Sequence, residues 1–307
     1  MNIRKVHYIM NKNKSLGIPA VIFSVFVWGI SFVSTKVILA ELPPVTIAFI
    51  RQIVALVPLF ILCILKRESL RIDKKEAIPF IFATFFGIVM YFVLENKGLT
   101  LTSASNASML VSAIPIFALL AESIVSKKRL ALSSFLCIIS SILGVYFVVF
   151  EGGLPDFSSQ SFLGNILVFG AMISWIIYTF ISDRLGKKYS SLKMTTLQTL
   201  VSIPLFLPFI MGEIKAWKIP SQTSILNLLF LGIFCSALAY VFYLYGVKTL
   251  GPVLPSALLN LIPVVTIFTG MIFLNEKISL YQIAGTLLII GSLTFLSIFK
   301  VKESNNS

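Results

Sequence analysis

Ten long apolar runs occupy most of this sequence and constrain its fold more than any other feature. The runs cover 17–39, 45–65, 77–94, 102–125, 130–150, 162–181, 193–211, 224–246, 253–274 and 279–299. A helix of about 20 residues crosses the hydrocarbon core of a bilayer, and these runs approach that length. They are too long for barrel strands, and a helix satisfies its backbone hydrogen bonds within one segment. The pattern predicts an all-α integral membrane protein with ten transmembrane helices.

The composition agrees with a membrane protein, because 57% of the 307 residues are hydrophobic and only 12% are charged. Soluble domains carry about 25% charged residues, so this chain lacks the polar residues that would cover a soluble fold. The first run is too long for a signal peptide and has no clear cleavage site, so we expect it to be retained. Cys63, Cys137 and Cys235 all lie inside runs and are interpreted as packing residues, without a disulfide, metal or cofactor.

The net charge of +13 is explained by the orientation of the chain in a membrane rather than by binding to nucleic acid. With the N-terminus in the cytoplasm, 19 Lys and Arg residues lie on the cytoplasmic side and four on the outer side, while Lys36 and Arg51 lie within spans. This imbalance is the positive-inside pattern. It predicts a multi-pass protein of the cell (cytoplasmic) membrane with both termini in the cytoplasm.

The two halves of the sequence resemble each other. Residues 98–115 align with 246–263 at an offset of 148 positions. Trp28 aligns with Trp175 at nearly the same offset, so the matches occur in the same order along the two halves. Each half holds five helices, so the second enters the membrane from the opposite side, as in many secondary transporters. We expect a cytoplasmic tail over 1–15, a first repeat over 16–150, a second repeat over 161–300 and a cytoplasmic tail over 301–307.

Polar and aromatic side chains at helical spacing mark one face of six predicted helices, the first, third and fourth of each repeat. These faces predict a central cavity that binds a substrate. The candidate binding residues are Trp28, Ser31, Thr35, Tyr91, Asn106, Ser112, Trp175, Tyr178, Tyr240, Tyr243 and Asn260. Pro115 and Pro263 interrupt two of these helices and are candidate hinges. The alternative is that the hydroxyls pack helices together and that the prolines are plain kinks.

Four charged residues inside the apolar runs are candidates for coupling or substrate handling: Lys36, Arg51, Glu95 and Glu122. An unpaired charge near mid-membrane costs at least about 2.5–3.5 kcal/mol, so partners are expected. Glu41 and Glu95 lie at the level of the two cations and could pair with either of them in a structural cluster. Glu122 could pair with a neighbouring lysine of the basic "SKKR" stretch or titrate alone.

Several stretches in chain order resemble one known family. They are "VWGISFVSTKVI", "FIRQIVALVPLF", "SASNASMLVSAIPIF" and "LIPVVTIFTGMIFLNEKIS". Together they are similar to the drug/metabolite transporter superfamily, in its ten-helix EamA-like branch. The resemblance implies that the same six helices line the cavity and that amino acids or related metabolites are carried, often as exports. The family often has Glu followed by Lys or Arg after the fourth and ninth helices; here the ninth has Glu276-Lys277, whereas the first half has Lys128-Arg129.

These features favour a secondary transporter of a small organic solute, working by alternating access across the lipid bilayer. The sequence has no phosphate-binding P-loop, so ATP is not expected as the driver. It also lacks a cluster of intramembrane carboxylates or histidines that would indicate an enzyme, so we expect no catalytic residues. The alternative is a lipid-carrier flippase or a membrane-embedded enzyme acting on lipid.

Overall fold

Ten apolar helices form the structure, a computed structural model that describes residues 3–126, 132–151, 157–250, 255 and 258–305. All the regular secondary structure in these ranges is helical. The helices are α1 Ile3–Ile38, α2 Pro44–Leu65, α3 Lys74–Leu101, α4 Ala104–Val111 with Ile114–Ser126, α5 Leu132–Phe150, α6 Gln160–Gly186, α7 Ser191–Ile210, α8 Gln222–Leu250, α9 Leu259–Phe273 and α10 Leu280–Asn305. Eight are long and apolar enough to cross a membrane, and α9 and α10 supply two shorter apolar stretches. The prediction of an all-α membrane protein is confirmed.

Irregular turns occur at equivalent places in the two halves. A π-helical segment interrupts α3 at Phe85–Met90, and another interrupts α8 at Phe230–Leu238. π-Helical turns are rare and occur frequently at functional sites. Tyr91 follows the first segment directly and Tyr240 follows the second by two residues, so both turns set the direction of a tyrosine.

The fourth helix of each half has an irregular turn just before a proline. In α4, the helix stops at Val111 and resumes at Ile114, with Pro115 in the first new turn. In α9, a 3₁₀ turn at Leu259–Leu261 precedes the α-helix, and Pro263 lies in its first turn. Proline has no N–H to donate but suits the first turn of a helix, which explains where the α-helical segments that follow these turns begin.

Pairs of glycines allow several helices to pack backbone against backbone. A Cβ added to Gly98 of α3 would lie 2.9 Å from the carbonyl oxygen of Gly164 in α6. A Cβ added to Gly144 of α5 would lie 2.6 Å from the carbonyl oxygen of Gly285 in α10. Small residues let membrane helices approach this closely. These contacts join the two halves of the chain.

Two glutamates identify the ends of the bundle. At the Glu41 end, Glu41 lies between α1 and α2 and accepts hydrogen bonds from Ser221 at the start of α8. At the Glu76 end, Glu76 at the start of α3 pairs with Arg184 at 3.1 Å and with Lys188. Each contact links the first half of the chain to the second.

Candidate functional site

A cavity of about 80 Å³ lies at the centre of the bundle, where the two halves meet. Its wall combines aromatic rings, three short polar side chains and two charged groups. The lining residues are Trp28, Ser31, Phe32, Arg51, Tyr91, Phe92, Glu95, Val111, Ser112, Ile114, Pro115, Trp175, Tyr240, Leu259, Asn260 and Ile262. They come from the six helices predicted from the sequence and, in addition, from α2, which contributes Arg51.

Four aromatic residues form one contiguous wall of this cavity. Trp28 meets Tyr240 edge to face, with ring centroids 5.4 Å apart, and Trp175 meets Tyr91 at 5.1 Å. Trp175 also lies 6.0 Å from Tyr240, which joins the two pairs. The two pairs are equivalent. In each of them, a tryptophan from the first helix of one repeat (α1 or α6) contacts a tyrosine from the third helix of the other repeat (α8 or α3). The edge-to-face contacts of Tyr240 with Trp28 and Trp175 are a favourable arrangement for aromatic rings.

The π-helical segment of α8 holds Trp28 in place. The indole Nε1 of Trp28 donates a hydrogen bond of 2.9 Å to the carbonyl oxygen of Cys235, which lies within Phe230–Leu238. A π turn changes the backbone pairing of its helix, and here one of its carbonyls receives a side-chain donor. The irregular turn therefore fixes both a tyrosine of α8 and a tryptophan of α1.

The two charged residues of the wall are buried and do not form an ion pair with each other. Arg51 is 2% exposed; its Nε donates to Ser236 Oγ at 2.8 Å, and its guanidinium carbon lies 4.1 Å from the centroid of the Phe92 ring. Glu95 is 6% exposed and accepts a hydrogen bond of 2.8 Å from the Tyr91 hydroxyl. A hydroxyl and a ring face position the arginine, while a second hydroxyl positions the glutamate.

Lys36 has partners other than the expected carboxylates. Its ammonium group donates to the carbonyl oxygens of Leu99 and Thr102, the latter at 2.6 Å, at the end of α3. Glu41, one of the carboxylates expected to pair with it, instead accepts from the backbone N–H and hydroxyl of Ser221 at 2.7 and 2.6 Å. The expected ion pairs are thus absent among the described contacts of both cations. A helix C-terminus carries unpaired carbonyls and partial negative charge, which stabilise a lysine there.

Some predicted site residues lie outside the central cavity wall. Asn106 is buried in a polar network, where it donates to Thr102 Oγ1 at 3.1 Å and to Asn165 Oδ1 at 2.9 Å. Thr35 is buried one turn beyond Ser31, towards the Glu41 end. The side chain of Glu122 lies outside the described part of the structure.

Tyr178 and Tyr243 line a second, larger cavity at the Glu76 end. Trp175 belongs to the walls of both cavities and stands between them. The other residues of the second wall include several polar and charged side chains: Thr179, Ser182, Asp183, Lys187, Tyr189, Ser191 and Lys248. The second cavity therefore extends from the basic end of the bundle to Trp175, which separates it from the central cavity.

Sequence reasoning missed several parts of the central site. Phe92 follows the predicted Tyr91 directly, but helical spacing alone placed it on another face. Ser236 lies four positions before Tyr240 in α8, yet its role as the partner of Arg51 depends on packing between α2 and α8. The involvement of α2 could have been anticipated only from the isolated charge of Arg51.

Known proteins resemble the chain along most of its length. The model of the EamA-like transporter family matches residues 15–150 and again residues 162–298. An uncharacterized transporter of Archaeoglobus fulgidus is 31% identical over 86% of this chain and 92% of its own. The uncharacterized transporter YvbV of Bacillus subtilis is 28% identical over 90% of this chain and 89% of its own.

A solved crystal structure shares the fold, with a TM-score of 0.67 at 16% identity. The alignment covers 93% of this chain and 99% of the other. With two family matches that together span most of the sequence, the resemblance noted from its motifs is confirmed. The chain is a transporter that belongs to the EamA-like transporter family.

Proposed function

We propose that this transporter is a secondary carrier that moves a small organic solute, an amino acid or a related metabolite, out of the cell by alternating access. The observation that carries the proposal is the central cavity, which lies between the two halves and combines an aromatic wall with Arg51 and Glu95. Substrate sites of secondary transporters lie at the interface of such repeats. The cavity residues Trp28, Ser31, Tyr91, Ser112, Trp175, Tyr240 and Asn260 are the proposed contacts of the solute.

The proposed orientation rests on the distribution of charge. Basic residues concentrate at the Glu76 end, which the positive-inside rule assigns to the cytoplasm of the cell membrane, together with both termini. The Glu41 end then faces outward. The second cavity, with Tyr178 and Tyr243 in its wall, would be the route from the cytoplasm to the solute site.

Alternating access is proposed from the matched irregularities of the two five-helix repeats, 16–150 and 161–300. The break before Pro115 in α4 and the 3₁₀ turn before Pro263 in α9 both border the central cavity, and these are the places where the two helices can bend. Broken helices at equivalent positions are typical of carriers that exchange two conformations. We assign Pro115 and Pro263 to the flexing points.

The proposed energy source is a gradient rather than a nucleotide. The sequence has no P-loop, so we propose that a solute or ion gradient drives transport without ATP and without a cofactor. The solute and the surrounding bilayer are the partners of this site. No step of covalent chemistry is required.

Reconstitution into liposomes tests the proposal. Uptake of a panel of labelled amino acids is measured with and without a pH gradient, and transport is expressed per folded molecule. Trp175→Ala should lower the rate about tenfold or more, because a fully buried aromatic contact contributes about 1.5–3 kcal/mol. Phe135→Ala is the matched control, since Phe135 lies on α5 and is 50% exposed at the lipid-facing surface. Equal rates in both variants would contradict the proposed site.

A further inference from the structure

We infer that Arg51 and Glu95 form two separate charged subsites, which select a zwitterion: Arg51 binds its carboxylate and Glu95 binds its ammonium group. The inference rests on the proposed transport function and names the residues that would set its specificity. It starts from an unusual arrangement, in which two opposite charges are buried in one cavity wall without forming an ion pair.

The hydrogen-bonding capacity of Arg51 is only partly used. A guanidinium group has five N–H donors, and the described structure assigns one of them, at Nε, to Ser236. The Phe92 ring, 4.1 Å away, covers one face of the guanidinium group without accepting its in-plane N–H groups. The Nη side remains for a planar, negatively charged partner, and carboxylates match that fork in two parallel hydrogen bonds.

Glu95 has the complementary surplus of acceptors. One oxygen accepts from the Tyr91 hydroxyl, and no described residue donates to the other. Tyr91 is therefore a positioning residue, which orients the carboxylate from one turn away. An ammonium group, with three donors and a positive charge, matches the remaining acceptor sites.

Asn260 supplies a second, independent indication of a missing donor. It is 4% exposed and belongs to the wall of the same cavity, yet its Oδ1 has no hydrogen-bond partner in the described part of the chain. Buried amide oxygens are nearly always paired, so an unpaired one in a cavity wall points to a donor brought by the solute.

The energetics favour a ligand that carries both charges. Removing a charge from water is costly unless a counter-charge and hydrogen bonds compensate it. A solute with one charge would satisfy either Arg51 or Glu95 and would bring no opposite charge to the other. A zwitterion satisfies both, and its side chain then meets the aromatic wall formed by Trp28, Trp175 and Tyr240.

The test compares matched probes on the purified full-length protein. L-alanine, L-leucine and L-phenylalanine are compared with the amines that lack the carboxylate and with the acids that lack the ammonium group, by calorimetric titration and by liposome uptake. Each missing charge should weaken binding of the best zwitterion about 10- to 100-fold, as expected for hydrogen bonds to charged groups.

Two variants assign the charges to the residues. Glu95→Gln should remove the preference for the zwitterion over the corresponding acid but keep the preference over the amine. Arg51→Gln should have the converse effect, and Lys66→Gln, at an exposed position beyond α2, should change neither. This crossed pattern separates recognition from a general loss of folding, which would weaken all probes alike.

Each outcome decides the question. Single-charge analogues that bind the wild type as well as the zwitterions would overturn the inference while leaving a transporter of small solutes in place. A uniform loss in both variants, with no crossing, would also overturn the assignment of the subsites. If no probe binds or is transported, both the inference and the proposed function fall.

Discussion

The Glu276 carboxylate accepts a hydrogen bond of 2.5 Å from the Ser105 hydroxyl, across 171 positions of sequence. The same carboxylate accepts from the backbone N–H groups of Ala104 and Ser105, at 2.8 and 3.0 Å. The connection between α9 and α10 thus caps the N-terminus of α4, where unpaired N–H groups and the helix dipole favour a negative charge. The glutamate of the Glu276-Lys277 pair, noted in the sequence, therefore has a structural role.

A second carboxylate at the Glu41 end repeats this arrangement. Glu213, after α7, accepts from the N–H groups of Val45 and Thr46 at 3.1 and 2.8 Å, at the start of α2. Trp217 adds a hydrogen bond of 2.8 Å to the Thr46 hydroxyl. With the Glu41–Ser221 contact, three glutamates from interhelical connections hold helix N-termini of the opposite half. Opening of the carrier at this end would require these three glutamates to separate from the helix N-termini that they cap.

We predict that Glu276→Gln weakens the contact between the α9–α10 connection and the start of α4. The substitution keeps the size of the side chain but removes the charge that α4 stabilises, and it should cost about 1–3 kcal/mol. The measurement is the melting temperature of the purified protein, with Glu68→Gln in the connection between α2 and α3 as the control. A melting temperature equal to that of the wild type would show that the cap contributes nothing.

Acid should weaken the Glu41 contact only at low pH. The hydrogen bonds from the Ser221 hydroxyl and backbone N–H lower the pKa of Glu41 from its ordinary range. A carboxyl group with a lowered folded-state pKa stabilises the fold fully above its ordinary pKa, about 4.3, and the stabilisation disappears as the pH falls through the folded value. The difference in melting temperature between wild type and Glu41→Gln should therefore be constant from neutral pH to about pH 5 and shrink below it. A difference that already vanishes near neutral pH would contradict this account.

Cysteine labelling should follow the predicted orientation. The three native cysteines are buried, so introduced ones can be detected against a low background. Ile219→Cys, at a position 98% exposed before α8, should react with an impermeant reagent added to intact cells. Ser69→Cys, exposed between α2 and α3, should react only after the cells are permeabilised. The reverse pattern would place the termini outside.

Trp28→Phe should impair transport more than stability. Phenylalanine keeps most of the aromatic surface but cannot donate to the Cys235 carbonyl, and one lost hydrogen bond costs about 1 kcal/mol of stability. Because that bond ties α1 to the π-helical segment of α8, we expect slower uptake at a nearly normal melting temperature. Phe26→Tyr, on the exposed face of α1, is the control. Unchanged uptake by Trp28→Phe would assign the indole to packing alone.

The apolar runs were enough to predict the helices, and four of the predicted binding residues are aromatic side chains that the structure brings together in one cavity wall. Trp28, Trp175, Tyr91 and Tyr240 were candidates because they lie at equivalent places in the two halves, away from the membrane interfaces that also attract aromatic residues. The resemblance of the motifs identified the family, and the structure identified which side chains contact one another.

The side-chain partners could not be predicted from the sequence, in part because π-helical segments change which residues of α3 and α8 share a face. Regular helical spacing would put Thr84, Tyr91 and Glu95 on one face of α3, but Phe85–Met90 is π-helical and breaks that spacing. Thr84 bonds the carbonyl of Phe80, whereas Tyr91 and Glu95 border the cavity. The partner of Lys36 lies on another helix, more than 60 positions away, and only the packing of α1 against α3 determines it.

Access to Ser112 tests the central claim most directly. Ser112 lies at the break of α4, in the wall of the cavity, and is 5% exposed. In vesicles of known orientation, Ser112→Cys should react with an impermeant thiol reagent added to either side alone, and a transported amino acid should slow both reactions. Cys137, which is buried among the helices away from this wall, provides the unreactive reference in the same molecule. Reaction from one side only, or labelling that the amino acid leaves unchanged, would contradict alternating access to a central solute site.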